Sequence, residues 1–220
     1  QSHWATNNAV MLIEACLHAG ESCGKDAGLM LLRDMTVANK RRELLANCNL
    51  LFIPILNVDG HERSSAYNRI NQRGPATMGW RTNARNQNLN RDFTKLDTAE
   101  VRALISVIRQ WQPDLYLDLH VTDGADYQYD ITFGGNGRSG WSPAIGEWIE
   151  DVYRPAVSAG LSAMGHEPGG LIFTVNGKDM QDGFLTWTGD PRFSNGYGDA
   201  VHLPTVLVEN HSLKPYRRRV

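Results

Sequence analysis

The sequence holds no apolar run approaching the roughly 20 residues a membrane span needs. Its start, QSHWATNNA, has neither the basic end nor the apolar centre of a signal peptide. These absences predict a soluble chain with no export signal in the stretch given. Charge of one sign is equally scarce. With 22 basic against 24 acidic residues, a net charge of −2 and a pI near 6.4, nothing global attracts nucleic acid or an anionic membrane. Arg217, Arg218 and Arg219 then read as a solvated end. Cysteine is sparse and odd in number: Cys16, Cys23 and Cys48 stand at no zinc-finger spacing, and two of them lie in or beside apolar runs where buried thiols are common. Internal repeats, low-complexity tracts and linkers are missing too. At 220 residues and 41% hydrophobic content, the chain is expected to form a single domain, 1–220, around one sizeable core.

What is present centres on VMLIEACLHAGE (10–21), an apolar run that stops at a small, glycine-containing turn carrying His18 and Glu21. A His and a Glu three positions apart, in a backbone turning toward helix, project to one side about one turn apart, so one cation can take both. Taken alone, the pair is also what a polar surface turn looks like. Zinc that does chemistry usually has three protein ligands and keeps a position for water, so a third ligand must come from elsewhere. His120 is the candidate: it ends DLYLDLH (114–120), a second strand-like run that hands its last residue to a loop. Two sequence-distant strands lying side by side are ordinary in an α/β fold.

The rest of the chain alternates in the same way. SCGKDAGLMLLRDM reads as an amphipathic helix, with Leu29, Met30, Leu32 and Met35 on its apolar face. NLLFIPIL (49–56) reads as a strand covered on both faces, weakened as a central strand by Pro54, and NVDG (57–60) as a turn. Residues 61–95 are polar, aperiodic and rich in Asn and Arg, the mark of a working loop. Arg63, Arg69, Arg73, Arg81, Arg85 and Arg91 make it an anion-binding candidate, since a guanidinium fork matches a carboxylate bidentately. A solvated loop with local ion pairs is the alternative. Asp97 and Glu100 suggest a capping box for a helix whose Val101, Leu104, Ile105 and Ile108 share one face and which Pro113 ends. Residues 121–141 read as loop, and 142–164 as a helix with Ser142 as N-cap, Pro143 at its first position and a break near Pro155. Residues 169–198 show little periodicity; Tyr197 sits there in SNGYGD, which reads as flexible. PTVLVENHSL puts Glu209 at the end of a last apolar run. The pattern predicts an α/β fold: a mostly parallel, mixed central sheet with helices on both faces.

In order, HAGE, the strand into NVDG, NLNRDF, DLH and VLVE together resemble the zinc carboxypeptidases of the carboxypeptidase A and B type, over about residues 10–212. The resemblance implies one zinc ion held by His18, Glu21 and His120. It implies Asn90 and Arg91 gripping the terminal carboxylate of a peptide, Tyr197 as a mobile-loop residue over the substrate, and Glu209 as general base. An arginine that polarises the scissile carbonyl is also implied. Arg81 in GWRTN resembles the family's Trp-Arg context, with Arg69 and Arg73 as rivals. The implied activity is removal of C-terminal residues from peptides, in a periplasmic or secreted setting.

Two departures accompany the resemblance. Asn88 stands where the family commonly has an Asp partnering the first histidine, and a neutral amide raises a ligand's basicity less than a carboxylate does. The family's fold also begins upstream of the metal turn and continues beyond the general base, so the chain is expected to be a fragment or trimmed domain. Two alternatives stay open: an N-acyl amino acid amidohydrolase of the aspartoacylase or succinylglutamate desuccinylase type, and an inactive peptide-binding module. His3, His61, His166, His202 and His211 lack a partner at ligand spacing, with His211, beside Glu209, the nearest to a role. Trp4, Trp80, Trp111, Trp141, Trp148 and Trp187 read as packing residues.

Overall fold

The structure is a computed structural model that describes residues 8–177 and 179–220, so His3 and Trp4 lie outside the described residues. Eight strands form among the described residues. They are β1 (Ala9–Ala15), β2 (Cys48–Ile53), β3 (Leu115–Val121), β4 (Ile131–Gly134), β5 (Pro168–Gly170), β6 (Ile172–Thr174), β7 (Phe184–Thr186) and β8 (Thr205–Asn210). The principal helices are α1 (Cys23–Thr36), α2 (Val58–Glu62), α3 (Ala99–Trp111), α4 (Pro143–Trp148), α5 (Arg154–Ala163), α6 (Ser194–Ala200) and α7 (Tyr216–Arg219). Six strands make one sheet in the order β2-β1-β3-β8-β4-β5, and β6 pairs with β7 as a separate hairpin. Strands β2, β1, β3 and β8 run parallel, and β4 joins β8 antiparallel. The fold is therefore a mixed α/β architecture with a mostly parallel central sheet.

Strand alternation divides the core between the two sheet faces. On one, Leu12 and Tyr116 meet Val101, Leu104, Ile105 and Ile108 of α3. On the other, Met11, Leu117, Leu119, Val206 and Val208 meet Ile145, Ile149, Tyr153, Val157 and Leu161 from α4, α5 and the π-helical turn between them. That turn, Ile149–Tyr153, precedes Pro155, whose missing N–H cannot continue a regular α-helix. Among the described residues, no helix is long and apolar enough to cross a membrane.

Several local expectations are corrected. Strand β2 is an edge strand, half-buried throughout rather than covered on both faces. NVDG opens α2, because the Asn57 side chain accepts the Gly60 N–H at 2.9 Å and nucleates a helical turn. The N-cap of α3 is Thr98, not Asp97; its hydroxyl accepts from Val101 N at 3.3 Å and donates to the Asp92 carboxylate at 2.6 Å. The stretch 121–141 contains β4, which is too short to announce itself but completes its hydrogen bonds on β8. Two of the three terminal arginines are not simply a solvated end: Arg218 is bidentate on Asp130 at 2.6 and 2.7 Å, and buried Arg219 donates to the carbonyls of Arg73 and Gly74, while Arg217 is exposed.

Candidate active site

Neighbouring parallel strands β1, β3 and β8 carry their chemistry at their C-terminal ends, the usual ligand rim of such a sheet. After β1 the chain turns through Cys16 to Glu21 before α1 begins, and this turn delivers His18 and Glu21. Strand β3 carries His120 one residue before its end, so the strand runs one residue further than expected. Strand β8 carries Glu209, the register partner of His120. One ligand atom each from His18, Glu21 and His120 lies within 4.8 Å of the others, and all three residues are buried.

Each side chain is held in a definite state. Burial pushes His18 down to about 3, with Arg81 and His120 adding to it, so its imidazole is neutral. Its Nδ1 is buried without a hydrogen-bond partner among the described residues, a cost that a ligated ion would remove. Burial opposes charge on His120, yet Asp118 and then Glu21 hold it well above the usual range. Its Nε2 meets Asp118 Oδ2 at 2.8 Å, and its Nδ1 meets Glu21 Oε2 at 2.9 Å. Burial likewise opposes charge on Glu21, but Arg69, followed by His18 and His120, holds the carboxylate well below its ordinary value. The set fits a divalent cation: an orphaned neutral imidazole, a carboxylate, and a second imidazole whose far nitrogen is fixed by a carboxylate, the support metal-bound histidines usually have.

These residues line a cavity of about 400 Å³. Arg81, Asn90 and Arg91 line it, together with apolar Phe173, Leu185, Trp187, Phe193 and Leu207. Asn90 accepts the Ser194 N–H on its Oδ1 at 3.0 Å, which turns its amide donors elsewhere. The Arg91 guanidinium stacks over Phe193 at 4.3 Å, a geometry lysine cannot reproduce. Glu209 Oε2 is buried without a partner among the described residues, and burial raises its carboxyl to about 8.

Not every candidate joins the cluster. Tyr197 lies on α6 against Phe93, with ring centroids 5.8 Å apart, and is not on the cavity wall. SNGYGD is a packed helix: Gly196 and Gly198 let its backbone press onto Asp190 and Thr205. Of the three candidate arginines, Arg81 lines the cavity, Arg69 is buried behind Glu21, and Arg73 is exposed. Asn88 caps its own turn by accepting from Asn90 N at 3.1 Å. His211 is a core residue, bonded to Tyr127 O at 2.9 Å and Leu213 N at 3.1 Å. The tryptophans are not core residues throughout: Trp141 is 70% exposed, Trp80 and Trp148 are each 38% exposed, and Trp187 lines the cavity between Phe173 and Phe193.

Sequence reasoning missed Asp118 and Ser194. Asp118 had a signal, since two positions along a strand is the same face as His120. Ser194 had none; its hydroxyl donates to Asp118 across 76 positions of sequence.

The ends of a mostly parallel α/β sheet thus gather a His-Glu-His cluster that could hold a metal ion, beside a carboxylate and two arginines. The family model described as Zinc carboxypeptidase matches residues 1–139, and the chain belongs to that family. No curated protein matches it. Among solved structures, carboxypeptidase A from Shewanella denitrificans, described there as a candidate assignment, shares 20% identity at a TM-score of 0.66, covering 96% of this chain and 50% of that one. The metallo-carboxypeptidase from Pseudomonas aeruginosa in complex with (2-guanidinoethylmercapto)succinic acid shares 19% at 0.64, covering 97% and 54%. Carboxypeptidase A from Helicoverpa armigera shares 15% at 0.62, covering 96% and 53%. The chain thus spans about half the length of these structures.

Proposed function

We propose that residues 1–220 form the catalytic domain, or part of it, of a zinc-dependent carboxypeptidase that removes C-terminal residues from peptides. The observation that carries this reading is the convergence of His18, Glu21 and His120 with Glu209 beside them and a cationic grip on the same cavity. His18, Glu21 and His120 would hold the zinc. When bound, zinc lowers the pKa of coordinated water toward about 7 and polarises a carbonyl.

The chain's own residues supply the rest. Arg91 and the Asn90 amide grip the terminal carboxylate, so the bond presented for attack is the last one in the peptide. Trp187, Phe173 and Phe193 offer the leaving residue an apolar wall. Glu209 accepts a proton from the attacking water and returns it to the leaving amine. Arg81 donates to the carbonyl oxygen as it gains charge; removing one such donor typically costs about 2.7–4 kcal/mol of barrier.

The test is a digest by the purified, zinc-loaded chain of one peptide in two forms, with a free and an amidated C-terminus, beside an N-acyl amino acid. Stepwise loss of C-terminal residues from the free form alone, abolished by chelator, is expected. Cleavage of the N-acyl amino acid instead would favour the amidohydrolase alternative. Peptide binding without turnover at saturating zinc would favour an inactive module, and either result overturns the proposal.

A further inference from the structure

The metal cluster contains a contact that neither holds an ion nor faces substrate. Arg69 is 6% exposed and lies behind Glu21, away from the cavity lining. Its Nη1 donates to Glu21 Oε1 at 2.7 Å. Its Nη2 reaches the carbonyls of Val121 and Thr122 at 3.3 and 3.4 Å, and Asp123 Oδ1 at 3.3 Å. One planar guanidinium thus ties the turn that carries His18 and Glu21 to the end of the strand that carries His120. The other Glu21 oxygen, Oε2, accepts His120 Nδ1 at 2.9 Å and Val121 N at 3.0 Å. The two oxygens therefore have separate partners: Oε1 faces the arginines, and Oε2 faces the histidine.

The path of Arg69 depends on Gly20. A Cβ there would lie 2.5 Å from Arg69 Cδ and 2.7 Å from the Gly79 carbonyl, so the space beside the metal turn is taken by the arginine's stem. Arg81 also donates to Glu21 Oε1, at 3.2 Å, but its side chain is 36% exposed and lines the cavity. Arg81 can leave that oxygen for a substrate without opening the core. Arg69 cannot, since its fork is shared with backbone carbonyls on β3 and the loop after it.

We propose that Arg69 is a positioning residue for the metal site. It occupies Glu21 Oε1, presents Oε2 toward the ion as a single ligating oxygen, and sets the distance between the two half-sites. This rests on the zinc carboxypeptidase reading. Only a fork can span a carboxylate and two carbonyls; a lysine in its place keeps the charge but loses the span.

The test is zinc affinity of the full chain, measured by competition with a chromophoric chelator, together with the visible absorption of the cobalt-loaded protein. Arg69→Lys keeps a buried cation opposite Glu21, and melting of the metal-free protein checks its folding. Supporting groups of this kind are typically worth about 10–100-fold in metal affinity. The expected result is a loss of about tenfold or more in R69K with an altered cobalt spectrum. Gly20→Ala, which displaces the stem while leaving the guanidinium present, should give the same direction. Arg81→Met, which removes the more exposed of the two donors to Glu21 Oε1, should lose turnover and lower zinc affinity less than R69K does. If R69K and G20A bind zinc as tightly as the parent with an unchanged cobalt spectrum, the positioning role is overturned, whatever the peptide digest shows. If the parent binds zinc and positions Glu21 as described but cleaves no peptide, the carboxypeptidase reading fails and the role of Arg69 stands. A parent that binds no zinc overturns both.

Discussion

His120 and Glu209 are register partners across the parallel β3–β8 ladder, so their side chains leave the sheet on one face, side by side. One is in the His18–Glu21–His120 cluster that could hold a metal ion, and the other has a buried oxygen without a partner among the described residues. This separates holding an ion from moving a proton. Glu209→Gln keeps shape and removes basicity. It should lower kcat by about 10²–10⁴-fold, with zinc content and peptide binding retained. Loss of zinc along with activity would instead make Glu209 a ligand.

The same carboxyl makes a stability prediction for the metal-free protein. Burial raises Glu209 from an ordinary value of 4.5 to about 8. Between those values the folded chain holds a proton that the unfolded chain has released. The contribution of this group is therefore fully present below about 4.5 and is lost as pH rises to about 8. Urea melts in chelator should show the parent losing stability relative to E209Q across that window. Parallel curves for the two proteins would mean that Glu209 is ionised throughout.

Arg91 donates to the Asn90 carbonyl at 2.6 Å and stacks on Phe193, so its head is pre-set at the cavity. A hydrogen bond to a charged group is worth about 1.5–3 kcal/mol, or roughly 10- to 150-fold. Arg91→Met should lower kcat/KM for a free-carboxylate peptide by that factor, mainly through KM. An effect confined to kcat would place Arg91 in the chemistry and not in the grip.

Asp118 joins two parts of the site. It takes the His120 Nε2 contact at 2.8 Å and the Ser194 hydroxyl, and Ser194 in turn donates its N–H to Asn90. Beneath it, buried Glu14 is raised well above its usual range by burial and by Asp118 itself, so the pair carries one charge instead of two. Asp118→Asn leaves His120 a weaker partner and should cost about 10–100-fold in zinc affinity. Chelator competition reads the loss directly, and an unchanged affinity would show that His120 needs no anionic support.

What the sequence revealed depended on how local the cause was. The α3 face at Val101, Leu104, Ile105 and Ile108 and the strands into His18, His120 and Glu209 were legible because periodicity and strand length are local properties. The α/β class followed from their alternation. Strands β4 and β5 were not legible: Ile131–Gly134 and Pro168–Gly170 are four and three residues long, and each is completed by a sequence-distant ladder, β4 on β8 and β5 on β4. The burial of Arg69 was hidden for the same reason, since its partner Glu21 is 48 positions away. Tyr197 was misread because a glycine-rich hexapeptide looks loose in sequence, whereas here its glycines allow close packing of α6.

The cap of α3 gives a prediction independent of any metal. Thr98 and Asp97 are adjacent polar residues at the helix start, and a sequence rule alone favours Asp97 with Glu100. In the fold Thr98 is 2% exposed, its hydroxyl both caps Val101 N and donates to Asp92, and its own N–H reaches Asp92 at 2.8 Å. Asp97 faces outward and pairs with exposed Lys95 at 2.7 Å, a surface contact worth little. Thr98→Ala should therefore cost about 1–2 kcal/mol of unfolding free energy, and Asp97→Ala no more than about 0.5. Denaturant melts of the two variants decide the matter: equal losses, or a larger loss at Asp97, would move the cap one residue back and with it the register at which α3 presents Val101 to the core.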